Sequence, residues 1–156
     1  MCRPTYVGSS SSFGDKKVVA LDSNSDAQLV SEDSGCIFVI DADVAASAAK
    51  IYYLPKASET SVGCTFKFIV DASPSNTIDI DRHADDDDNI FGCINSAEAG
   101  GEGASCDSTA QETVRFATGA VKGDSFSLTL VGIGTAKWWQ LSGDANDAAH
   151  IAVAAS

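Results

Sequence analysis

Gly63-Cys64-Thr65-Phe66-Lys67-Phe68-Ile69-Val70-Asp71 is the stretch on which the fold turns. Cys64, Phe66, Phe68 and Val70 fall on one side of an extended chain, and Thr65, Lys67, Ile69 and Asp71 on the other. This period of two marks a strand with one buried face. A second stretch repeats the pattern. In Ser125-Phe126-Ser127-Leu128-Thr129-Leu130 apolar and hydroxyl residues alternate without exception, and Lys122-Gly123-Asp124 supplies a turn just before them. Working outward, shorter strand candidates occupy residues 17–21, 35–41, 50–54, 77–80, 89–94, 112–117, 136–141 and 150–154. Turn signals separate them about every ten residues, the spacing of sandwiches and barrels.

One segment could be helical, the alanine-rich Asp43–Lys50 with Asp43 as its N-cap. It is too short to stand without tertiary support, so a loop between strands is expected. No strand-helix alternation exists, which disfavours a parallel α/β sheet. The expectation is a single all-β domain over residues 17–156, an antiparallel β-sandwich or jelly-roll-like barrel. Residues 1–16, centred on Ser9-Ser10-Ser11-Ser12, read as a flexible N-terminal arm.

Composition narrows the function. The chain has 156 residues, 22 acidic and 10 basic, for a net charge of −12. That charge argues against nucleic acid or an anionic membrane as the direct partner, and for a neutral or basic one. Asp outnumbers Glu 17 to 5, which favours turns and caps over helix interiors. No apolar run approaches the roughly 18 residues of a membrane span, and Met1-Cys2-Arg3-Pro4-Thr5 lacks the layout of a secretion signal, so folding in a cytoplasm is expected. Cys2, Cys36, Cys64, Cys93 and Cys106 make an odd count without paired spacing, indicating neither a disulfide scaffold nor a zinc knuckle.

Four places could carry chemistry. Between Asp79 and Asn89 six Asp crowd together, oxygen ligands suited to Ca²⁺ or Mg²⁺, but consecutive aspartates cannot all face one ion; a solvated acidic loop is the expectation and no metal is assigned. Trp138-Trp139 should split, one indole entering the core and the other facing outward toward a protein or a sugar ring. A Cys93–Cys106 bridge would close a loop of about fourteen residues, on the order of 3 kcal/mol in stabilisation. A reducing cytoplasm argues against it. The only histidines are His83 and His150, and no nucleophile elbow, zinc-protease motif or phosphate loop accompanies them. An enzyme is not expected, and neither a cofactor nor a small-molecule ligand is assigned.

An ordered string of features carries a resemblance. Asp33-Ser34-Gly35 opens a strand; Ile51-Tyr52-Tyr53-Leu54-Pro55 and Gly63–Val70 follow; Ala72-Ser73-Pro74-Ser75-Asn76 leads through a polar excursion to Lys122–Leu128; and Trp138-Trp139-Gln140-Leu141-Ser142-Gly143 ends it. Over residues 17–154 this resembles small β-rich virion proteins of tailed bacteriophages, above all capsid decoration (cement) proteins and related head or tail fibre modules. Against that pattern, residues 79–88 and 96–105 look like insertions. The resemblance implies a non-enzymatic virion protein, made in the host cytoplasm, that binds the major capsid protein on the outside of an assembled head, often as a homotrimer, and stiffens it. Each copy would add binding free energy to the assembled state alone, and a trimer would add avidity.

On this reading Arg3, Tyr6, Phe13, Lys16 and Lys17 dock to the capsid, while Tyr53, Ile69 and one of Trp138 or Trp139 face a partner or another protomer. The competing reading is a receptor- or glycan-binding fibre module using an exposed Trp138 or Trp139 and the acidic loop.

Overall fold

The alternation at residues 64–71 resolves into a strand whose Phe66, Phe68 and Val70 are buried, while Thr65 and Ile69 are half-exposed and Lys67 is exposed. The computed structural model describes residues 11–13, 16–21, 26–87, 89–97 and 107–154. Its strands are β1 (Ser11–Phe13), β2 (Lys16–Ala20), β3 (Ala27–Gln28), β4 (Ile37–Ile40), β5 (Lys50–Tyr53), β6 (Thr65–Val70), β7 (Ile78–Asp81), β8 (Ile90–Ser96), β9 (Asp107–Gln111), β10 (Thr113–Phe116), β11 (Ser125–Ile133), β12 (Ala136–Ala145) and β13 (Ile151–Ala154). The only helical elements among the described residues are single 3-10 turns at Ser31–Asp33 and Ala57–Glu59. The protein is all-β.

Two sheets form. One has eight strands in the order β1-β2-β4-β6-β11-β12-β8-β9, the other five in the order β13-β10-β7-β5-β3. The expected antiparallel arrangement needs correction, because both sheets are mixed. β2, β4 and β6 run parallel to one another in the first sheet, as do β3, β5 and β7 in the second. Parallel neighbours cannot be joined by a hairpin and need a crossover. Here the crossover is a strand of the opposite sheet: from β2 to β8 the chain changes sheet at every step. In the second half β11 and β12 form a hairpin through the turn at Gly134-Thr135, but the other edge of β12 pairs parallel with β8.

Between β4 and β5, residues 42–48 are turns and bends. Asp41 accepts the backbone N–H groups of Asp43 and Val44 at 2.9 and 3.2 Å. That local bonding outcompetes a helix capped at Asp43. At the N-terminus the sheet reaches into the stretch expected as an arm, since Ser11–Phe13 pairs with Lys16–Val18. Residues 1–10 lie outside the described residues.

The core is aromatic. Phe38, Phe66, Phe68, Phe126, Phe116 and Trp139 are fully buried. Phe38 stacks on Phe68 and Phe68 meets Phe126, both at 5.2 Å between ring centres, and Phe66 meets Trp139 at 5.6 Å. Phe116, from the five-stranded sheet, stacks on Phe126 of the eight-stranded one at 4.8 Å, so the inner faces of the two sheets share one core. Backbone approach is equally tight where β8 meets β12: Gly92 has φ 138°, and a Cβ there would sit 2.1 Å from the Leu141 carbonyl oxygen.

The cysteine expectation is corrected too. Cys36 and Cys93 are each in a disulfide, while Cys64 is free and buried. Pairing is decided by which strands the fold brings together, which linear spacing does not encode. Cys106, the partner considered above for Cys93, lies outside the described residues.

Candidate functional site

The two tryptophans separate as strand alternation requires. Trp139 is fully buried, so it is a core residue and not an interface one. Trp138 is half-exposed and, with Phe91 of the neighbouring β8, lines an open, mostly apolar cleft of about 380 Å³. The other interface candidates lie on different sheets. Tyr53 is half-exposed on β5 of the five-stranded sheet. Ile69 stands on the outer face of the eight-stranded sheet, in register with Val39 and Ala20, and next to the row of Ile37 and Val18. All five are half-exposed, giving one apolar cluster across β2, β4 and β6. Beyond it the same face turns to hydroxyls, with Ser125, Ser127 and Thr129 on β11 and Ser142 on β12. Of the docking candidates, Phe13, Lys16 and Lys17 lie on the paired backbone of β1 and β2, and Arg3 and Tyr6 lie outside the described residues.

The aspartate run does not act as one loop. Asp79 and Asp81 belong to β7 and are paired across to β10. Asp79 accepts both Nε and Nη2 of Arg115 at 2.6 and 2.7 Å, and Asp81 accepts the Thr113 hydroxyl at 2.7 Å. Burial pushes the Asp81 carboxyl up, with the charges of Asp79 and Glu112 adding to it against the Thr113 bond and Arg115. Arg82 then braces the turn that follows, pairing with Glu112 and donating to the carbonyls of His83 and Asp86. Asp86 accepts the Ala57 N–H at 2.8 Å and the Asn89 amide at 3.4 Å. Among the described residues no group of three His, Cys, Asp or Glu side chains is arranged to hold a metal ion. A small cleft of about 230 Å³ does open here, lined by Ser58, Asp86, Asp87, Asn89, Thr135 and Lys137 among others.

The turn signal Lys122-Gly123-Asp124 hides a buried network that the sequence reading missed. Asp124 is fully buried and accepts the N–H groups of Val121 and Asn146, both at 2.7 Å, and the Asn146 amide at 2.8 Å. His150 Nδ1 approaches the same carboxylate to 2.7 Å, as an ion-pair contact without hydrogen-bond alignment. Burial alone would raise this carboxyl, but the three donors and His150 outweigh it and hold it below the ordinary range. No signal short of the fold marks Asp124 as different from any turn aspartate.

His83 Nδ1 accepts the Asp85 N–H at 3.1 Å and lines a cleft with Ser31 and Thr60, while His150 faces Asp124. Burial also pushes the Cys64 thiol up, against a bond from Ser34, which leaves little reactive thiolate. No protein-family profile matches this chain, and no curated protein matches it in sequence.

Proposed function

We propose that this chain is a structural virion protein: a decoration protein that docks on the outside of a phage head through the face of its larger sheet. The observation that carries the reading is the apolar cluster of Val18, Ala20, Ile37, Val39 and Ile69, half-exposed on a sheet face where lone apolar residues would need no explanation but a contiguous group does. A surface of that kind gains by being covered, and a shell offers a large, repetitive partner. The strongly acidic remainder keeps many neighbouring copies soluble and repels the like-charged genome. The finer fold that suits this role is a β-sandwich, its two layers joined at Phe116 and Phe126, with three copies associating over a capsid junction.

The test is cosedimentation of the full chain with expanded heads of its phage, together with light scattering on the free protein. Saturable binding by a homotrimer is the expected result, and Ile69→Asp should weaken binding at least tenfold while leaving the circular dichroism spectrum intact. A strict monomer that also stays in the supernatant would overturn the proposal.

A further inference from the structure

We propose that this chain closes two disulfides within itself, Cys2–Cys36 and Cys93–Cys106, and that it takes its working form in a disulfide-forming environment and not in the reducing cytoplasm expected from its sequence. This goes beyond docking on a shell and does not depend on it.

Cys36 and Cys93 carry the argument. Each is in a disulfide, and Cys64 is in none. They are not each other's partners. Cys36 leads into β4 and Cys93 lies on β8, with β6, β11 and β12 between those strands. Four strand spacings put them about 19 Å apart across the sheet, whereas a disulfide needs Cα atoms within about 7 Å. The sequence holds five cysteines, so the two partners are Cys2 and Cys106. Both lie outside the described residues, and their assignment rests on the strands that hold Cys36 and Cys93.

The neighbour of β8 decides which partner goes where. β9 pairs antiparallel with β8, with Asp107 opposite Gly92. One step further along that register, position 106 falls opposite Cys93. Directly opposed residues of an antiparallel pair stand about 4.5–5.5 Å apart, inside the range of a disulfide. From β9 to β4 is five spacings, about 24 Å, too far for Cys106 to bridge to Cys36. Cys36 is left to Cys2. The chain is long enough: Ser11 pairs with Val18 and Val18 with Ile37, about 10 Å in two spacings, and the run from Cys2 to Ser11 extends to about 30 Å.

Each bridge forms by exchange with a disulfide donor. One cysteine thiolate attacks the donor and displaces one of its sulfurs as a thiolate; the second cysteine thiolate attacks the mixed disulfide and displaces the other. The cysteine pair gives up two electrons and two protons, and the donor leaves as two thiols. A reducing cytoplasm drives this exchange backwards. Cys64 stays out of it, because it is buried and its raised thiol leaves little thiolate to attack either bridge. Cys36 is 1% exposed, which shields its bridge from reductant once closed.

The experiment compares the full chain refolded in a mixture of reduced and oxidised glutathione with the same chain kept in dithiothreitol. When the oxidised sample is unfolded in guanidinium chloride with iodoacetamide, Cys64 alone should take the label, against all of the cysteines after reduction. Proteolysis without reductant should release the linked peptides Cys2–Cys36 and Cys93–Cys106. The oxidised chain should melt about 10 °C above the reduced one. Labelling of every cysteine in the oxidised sample overturns the proposal. So do linked peptides of any other pairing, bridges between chains on a non-reducing gel, or equal melting temperatures.

Discussion

Asp124 and the run Asp85-Asp86-Asp87 are the same residue type put to opposite uses. Asp124 has no exposed surface, three N–H donors and His150 against it, and a carboxyl held below the ordinary range despite its burial. Of the run, Asp85 and Asp87 are exposed and Asp86 alone is tied into the backbone, at Ala57. A formal charge of −12 counts them alike. The difference teaches that the same charge is put to different uses: Asp124 and Asp86 take up backbone N–H groups, Asp79 and Asp81 bond to side chains of β10, and Asp85 and Asp87 are exposed. Asp124 joins the turn before β11 to the Asn146 turn after β12 and to His150 before β13, three chain segments held through one side chain.

The comparison breaks first at Asp124. Asp124→Ala should cost about 3–5 kcal/mol in urea unfolding, because it strands several buried groups at once. If it costs no more than Asp87→Ala, the network has no special standing. Acid should act on the same residue. The Asp124 carboxyl lies lower in the folded than in the unfolded chain, so its contribution is complete above the unfolded value of about 3.9 and is lost as the pH falls toward the folded one. Below about pH 4 the wild type should therefore lose stability faster than Asp124→Asn, as thermal melts across pH 2–6 will read.

Smaller effects sharpen the contrast along β7. Arg115→Ala, which removes a two-pronged but partly exposed pair with Asp79, should cost about 1 kcal/mol. Asp81 has the opposite sign to Asp124. Its raised carboxyl means that folding favours the protonated form, so it stabilises only at low pH and that contribution is lost as pH rises through the folded value. Asp81→Asn should leave neutral-pH stability unchanged or higher, and a clear loss would show that its bond to Thr113 outweighs its burial. Asp85→Asn and Asp87→Asn come last, with changes within about 0.5 kcal/mol.

Strand faces were legible because alternation is local. Phe66, Phe68, Leu128 and Trp139 point inward as their spacing demands, and the split between Trp138 and Trp139 follows from the same rule. Which strand lies beside which was not legible, since Ile37 meets Lys67 and Tyr52 meets Ile80 only after the chain has visited the other sheet. The cue that disfavoured parallel pairing was the lack of helices, and here strands serve as the crossovers. The two-residue β3 is too short to show any period. The cleft draws Ser58, Asn89 and Lys137 from three distant segments, and none of them stands out alone. In the acidic run, residues 77–80 were legible as a strand, but Asp79 and Asp81 were also counted with the acidic loop, because nothing local shows that Arg115 and Thr113 lie across from them on β10.

The alternation of the chain between sheets also sets an order in time. The β11–β12 hairpin closes through a short turn and needs nothing from elsewhere, whereas β2, β4 and β6 become neighbours only after two long excursions have been tethered, an entropy cost met before any pairing rewards it. A ribosome releases the strands in the opposite sequence, and β6 meets its neighbour β11 only once Phe126 and its hairpin have been made. Refolding should be slow, with substitutions at Leu128 retarding it and substitutions at Phe38 chiefly hastening unfolding. The β11–β12 hairpin, synthesised after β6 and β8, is the part against which both of them pair.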